Sequence, residues 1–115
     1  MKILDEWKIK YIYQYKFEDL KDKQYLPFDF YLPDSNVLIE FDGEHHFYPI
    51  QRSSDDLSGE IAQEDFEITV RHDNMKTDYC YQNNIPLIRI PYFVRDRIKY
   101  FLFDEFVDKG VLIEI

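Results

Sequence analysis

Three carboxylates have the type and spacing to do chemistry. Asp29 stands between Phe28 and Phe30, and Glu40 and Asp42 are two apart in Val37-Leu38-Ile39-Glu40-Phe41-Asp42. Alternate side chains of a strand share a face, so Glu40 and Asp42 point one way, with Leu38, while Val37, Ile39 and Phe41 point the other. Phe28 and Phe30 are expected on the face opposite Asp29. A tight turn through residues 33–36 would bring position 29 beside 40 and 42. Three negative groups in a partly apolar setting repel unless some protonate or a cation neutralises them. Hard carboxylate oxygens suit Mg²⁺, usually held by one or two carboxylates with water and substrate phosphate. Such an ion activates water and stabilises an in-line phosphodiester displacement. The plain alternative is an ordinary strand pair with a wet polar face. That explains one Asp well and three carboxylates less well.

Further candidates follow in the chain. After Gly43 come Glu44, His45 and His46, and His72 stands beside Asp73. A histidine here could act as a general base or donate to a phosphate oxygen. If the strand runs on, His45 and His46 face opposite sides, so at most one is central. A zinc site built from His45, His46 and His72 lacks a recognisable ligand spacing. Lys76 lies one helical turn after Asp73 on the same face, so both could approach the carboxylates if their helix covers the sheet. A capping Asp73 and a solvated Lys76 is the plainer reading. Arg89, followed by Arg95, Arg97 and Lys99, could contact phosphates, or could form a charge network with the acidic middle of the chain. Tyr11, Tyr13, Tyr15, Tyr79 and Tyr81 read as core and sheet residues rather than base-stacking platforms.

The elements that must position these residues are legible in outline. Residues 9–15 are β-branched and aromatic and predict a strand, with a charged, turn-like stretch over 18–25. Residues 28–32 and 37–42 predict two more strands, joined through Pro33-Asp34-Ser35-Asn36 as an antiparallel hairpin. Residues 48–60 read as a loop and 61–70 as ambiguous, because Ile68-Thr69-Val70 disfavours a helix. A helix is predicted over 73–84 with Asp73 as its N-cap, then a strand over 85–90. An amphipathic helix over 96–109 turns Ile98, Phe101, Leu102 and Phe106 inward and stops at Gly110. The predicted order is β-β-β-α-β-α, an α/β (α+β) arrangement.

Composition bounds the rest. At 115 residues one domain is expected, 1–115. A 45% hydrophobic and 18% aromatic content excludes a disordered chain. Cys80 is the only cysteine, which excludes an intramolecular disulfide and a cysteine-based zinc site and favours a reducing, cytoplasmic home. No apolar run approaches membrane length. The net charge of -9 argues against a generic nucleic-acid coat. That charge is uneven: residues 27–70 sum to -10, and residues 71–100 to +3.

Taken in order, these pieces resemble a known family. Leu26-Pro27-Phe28-Asp29-Phe30-Tyr31-Leu32-Pro33, then Leu38-Ile39-Glu40-Phe41-Asp42-Gly43-Glu44-His45-His46-Phe47, is similar to the PD-(D/E)XK endonuclease superfamily. The closer likeness is to its very-short-patch-repair-like branch, which includes phage homing endonucleases of the EDxHD type. His72-Asp73-Asn74-Met75-Lys76, Asp78-Tyr79-Cys80 and Asn84-Ile85-Pro86-Leu87-Ile88-Arg89-Ile90-Pro91-Tyr92 agree. The likeness covers roughly residues 9–95.

The resemblance implies a restriction-endonuclease-like mixed β-sheet flanked by helices, and metal-dependent cleavage of DNA. By motif, Asp29 is the central metal-binding Asp, and Glu40 and Asp42 take the E-x-K places, with Asp where the superfamily has Lys. His46 closes the D-G-x-x-H stretch and Asp73 opens the following helix. The expected site therefore has Asp29, Glu40, Asp42, His46 and Asp73 as catalytic residues. Mg²⁺ or Mn²⁺ would sit on Asp29, Glu40 and Asp42, and Lys76 and Arg89 would bind substrate. The family's N-terminal helix, with a Glu that completes the site, is expected to be missing, because the first strand starts so early and Glu6 lies too close to it. The expected partner is double-stranded DNA, with a second copy of the chain or an additional DNA-binding domain or chain to supply recognition. The alternative is a catalytically inactive nuclease-fold module that binds through its acidic surface.

Overall fold

The computed structural model describes residues 1–43 and 56–114. The elements run α1 (Lys2–Glu6), β1 (Ile12–Lys21), β2 (Tyr25–Leu32), β3 (Val37–Asp42), α2 (Asp56–Gln82), β4 (Leu87–Pro91), a 3₁₀ turn (Tyr92–Arg97) and α3 (Ile98–Lys109). They form a mixed α+β structure around one four-stranded sheet of order β1-β2-β3-β4. β1, β2 and β3 are antiparallel neighbours, and β3 pairs β4 in parallel. A parallel pair needs a crossover, and the chain containing α2 supplies it.

Each face of the sheet is covered. On one side Cys80, with Met75 and Tyr79, packs α2 against Leu20, Leu26, Phe28 and Leu38. On the other, Leu4 and Trp7 at the N-terminus and Leu102 and Phe106 of α3 pack against Phe30, Leu32, Val37, Ile39, Ile88 and Ile90. Val37, Leu38 and Ile39 are all fully buried, as a central strand covered on both faces requires. Among the described residues, no helix is long and apolar enough to cross a membrane.

The 33–36 turn forms as the sequence predicts, with Leu32 opposite Val37 and the Tyr31 hydroxyl donating to Asn36 Oδ1 at 2.8 Å. α3 ends at Gly110, whose φ of 74° lies in the left-handed region. Val111 N–H then bonds the Phe106 carbonyl at 2.9 Å, a Schellman-type closure.

Four expectations are corrected. β1 runs on to Lys21, so only residues 22–24 turn. Leu20 reaches the core beneath α2, and that burial outweighs the charged neighbours. α2 is already helical from Asp56, across residues read as loop or ambiguous, and Asp73 lies mid-helix rather than at an N-cap. The β-branched run at 68–70 costs only tenths of a kcal/mol per residue, about what one packed side chain overrides. Phe28 and Phe30 do not share a face, because the β2–β3 ladder is interrupted between them and the side-chain sense reverses. Lastly, a five-residue α1 precedes β1 where no helix was expected. It buries Leu4, but its Glu6 pairs with Lys99 of α3 at 3.3 Å, on the side of the sheet away from α2.

Candidate functional site

β2 and β3 pair regularly from the turn as far as Phe30 opposite Ile39, and there the backbone ladder stops. Two carboxylates take over. The Asp29 N–H donates to Glu40 Oε1 at 2.8 Å, and the Phe41 N–H donates to Asp29 Oδ2 at 2.6 Å. Each acid thus satisfies a main-chain donor of the other strand that the interrupted ladder leaves open. The interruption reverses the side-chain sense. Leu26 and Phe28 enter the core beneath α2, while Phe30 and Leu32 enter the core against α3. Across β1, Gln14 adopts a φ of 56° and its amide lies 3.4 Å from Asp29 Oδ1.

Glu40 is 3% exposed. Its Oε2 accepts from Lys76 Nζ at 3.0 Å, and the same ammonium lies 5.5 Å from the centre of the Phe28 ring. Lys76 reaches this point because α2 lies over the sheet, so it is a buried partner rather than a solvated surface group. Burial pushes the Glu40 carboxyl up from its ordinary value. The Lys76 charge opposes this, the Asp29 charge adds to it, and the bonds from Lys76 and the Asp29 N–H pull it back.

Asp42 belongs to a second group. The parallel register sets Arg89 opposite Glu40, and the Arg89 guanidinium reaches Asp42 Oδ1 at 3.0 Å. It also donates to the Asp73 carbonyl and to Thr77 Oγ1, both at 2.9 Å, and lies 3.7 Å from Asp73 Oδ1. Arg89 therefore braces α2 to β3 and β4, the charge-network role open to it from sequence. Thr77 was not singled out, although it stands four residues after Asp73 on the same helix. Lys76 and Thr77 together fix how α2 sits over the acidic strand.

The expected convergence is thus met for Asp29 and Glu40, while Asp42 and Asp73 gather around Arg89. Among the described residues, no three His, Cys, Asp or Glu side chains stand close enough to hold one metal ion. The Asp29–Glu40 pair nevertheless has the donor chemistry of a hard divalent cation, which needs as few as two carboxylates. Glu44, His45 and His46 lie outside the described residues. His72 is placed elsewhere: its Nε2 is 2.9 Å from Asp22 Oδ2, which also accepts from Arg71 at 2.9 Å. Those two partners hold the Asp22 carboxyl below its usual range. Tyr15 stacks on Tyr31 with ring centres 4.5 Å apart, and the Tyr79 hydroxyl donates to Asp19 at 2.7 Å, as sheet and core roles predict. Tyr13 is a sheet residue opposite Phe30 with its ring 65% exposed, whereas Tyr81, 86% exposed on α2, is a surface residue.

No protein-family model matches the chain, and neither a curated protein nor a solved structure does.

Proposed function

We propose that the chain is a metal-dependent DNA endonuclease domain of the PD-(D/E)XK type. The observation that carries this reading is the opened end of the β2–β3 hairpin, where Asp29 and Glu40 stand together with a buried lysine on Glu40. A strand pair needs no carboxylates in place of its ladder bonds, and placing them there costs burial of charge. The superfamily's E-x-K lysine is replaced by Asp42 in this sequence. Lys76 restores a cation at the glutamate, from the helix above rather than from the strand.

In this reading Asp29 and Glu40 hold Mg²⁺ or Mn²⁺, which supplies Lewis acidity and an activated water. The chain's own residues do the rest. Lys76 favours the charged form of Glu40 against its burial, which still leaves the carboxyl above its ordinary value. Lys76 also keeps positive charge beside the place where a phosphodiester gains negative charge. Arg89, tied to Asp42, Asp73 and Thr77, positions α2 and so positions Lys76. His46 is the candidate proton carrier by motif.

The test is cleavage of double-stranded DNA by the purified chain with Mg²⁺ or Mn²⁺. Activity is expected to be lost in Asp29→Ala and Glu40→Ala. Cleavage that survives Asp29→Ala, or no cleavage by the wild type with either ion, would sink the reading. A second reading is an inactive nuclease-fold module. It is favoured by the fact that both carboxylates already have protein partners, which a purely structural role also explains. Calorimetric titration with Mn²⁺ separates the two: binding abolished by Glu40→Ala belongs to the first, and no binding to the second.

A further inference from the structure

The outer face of α3 is apolar where a solvent-facing helix is ordinarily polar. Tyr100, Phe103 and Val107 are 77%, 42% and 63% exposed. At spacings of three and four they form one stripe along the helix. Leu102 and Phe106 of the same helix are fully buried against the sheet. α3 therefore has two apolar faces, and the molecule's own core uses one of them.

The charges beside that stripe run against the helix's own field. A helix N-terminus carries partial positive charge and a C-terminus partial negative, so acids are favoured at the start and bases at the end. Here Arg95 and Arg97 lead into α3, with Asp96 between them, and no acid occupies its first turn. Asp104 and Asp108, both exposed, occupy the second half. Lys99 is paired with Glu6, and Lys109 with Glu105, which leaves Asp108 79% exposed with Lys109 at 3.7 Å. Among the described residues Arg97 has no carboxylate partner.

We propose that this face of α3 is the interface of a homodimer in which two copies pack α3 antiparallel. With the two-fold axis beside Phe103, Tyr100 of one copy meets Val107 of the other. Arg97 then lies opposite Asp108 of the second copy, and the reverse contact follows by symmetry. The inverted charge pattern is thereby neutralised at both ends of the stripe. A parallel pair would set Arg97 on Arg97 and Asp108 on Asp108. Twelve helical residues span about 18 Å, so the contact falls below the standard interface of roughly 1,200–2,000 Å² and is reversible.

Sedimentation equilibrium of the purified chain, from about 1 to about 200 μM, reads the association constant. A monomer–dimer equilibrium is expected. Val107→Glu and Tyr100→Lys, both at exposed positions, should give monomer throughout, with unchanged circular dichroism. Arg97→Glu should weaken association by about tenfold or more, and Arg97→Glu/Asp108→Arg should return it to within about threefold of wild type. A wild type that stays monomeric overturns the proposal. So does a dimer indifferent to both stripe variants, which would place the interface elsewhere. Failure of the charge exchange to restore association overturns the antiparallel arrangement.

Discussion

Replacing Lys76 by Met asks how far Glu40 depends on its cation. The two side chains are 12% and 4% exposed, with the charges 3.0 Å apart. At an effective dielectric constant of about 20, that separation corresponds to roughly 5.5 kcal/mol of attraction. Met keeps the bulk of the stem against Phe28 and removes only the ammonium. The bond from the Asp29 N–H remains, and Glu40 can escape part of the penalty by taking up a proton. The expected loss at high pH is therefore smaller than the Coulomb figure, about 3–4 kcal/mol, within the range for breaking a buried pair.

The cost must also depend on pH. Burial raises the Glu40 carboxyl above its ordinary 4.5, and the Lys76 charge is the largest opposing influence. A group whose folded pKa is raised favours the folded state fully below its unfolded value. It loses that contribution as pH climbs through the folded value. Without Lys76 the folded value climbs further, so the variant goes on losing stability after the wild type has levelled. The difference between the two proteins should be smallest near pH 4.5, the unfolded value, and fully developed once pH exceeds the variant's folded value. Urea unfolding followed by the fluorescence of Trp7, which is buried against Phe106, measures it at about pH 5 and about pH 8. A difference below about 1 kcal/mol at both pH values would mean that Glu40 does not need its cation. An equal loss at both would mean that packing, not charge, is being measured. Lys76→Met/Glu40→Gln should recover at least half of the loss, because the stranded charge is gone.

Two further outcomes are expected. Cys80 is 3% exposed and burial pushes its thiol from 9.0 up to about 11. At pH 8 a thiol reagent should label the native protein at least about 100-fold more slowly than the urea-unfolded chain, and similar rates would contradict the packing of α2 on the sheet. Gly110→Ala should cost about 1 kcal/mol in urea unfolding, since a Cβ there meets nothing within 4 Å and only the left-handed backbone is strained. No measurable loss would mean that the α3 terminus relaxes.

Local signals suffice where local chemistry decides the outcome. The Pro33-Asp34-Ser35-Asn36 turn, the Gly110 stop and the buried run of β3 follow from backbone preference and apolar pattern over a few residues. α2 is longer than local signals suggest because Gly59 and the β-branched run at 68–70 lie inside it, and penalties of about 1 kcal/mol or less per residue do not end a helix that packs on a sheet. α1 leaves no local signal, because a five-residue helix has almost no intrinsic stability. It forms because Leu4 and Trp7 find a core made by strands far along the chain.

Local periodicity alone sets Glu40 and Asp42 on one face of a strand, Asp29 beside Glu40, and Lys76 and Asp73 on one side of a helix. Those relations depend only on strand and helix periods and on one short turn. Tertiary structure decided which acid meets which cation. Lys76 joins Glu40, and Arg89 joins Asp42, across 36 and 47 residues of chain. The crossover helix and the parallel register set those pairings, and no local pattern encodes either. The opening of the β2–β3 ladder at Asp29 has the same origin. Glu40 takes its place there because α2 brings Lys76 down onto its carboxylate beside the Phe28 ring.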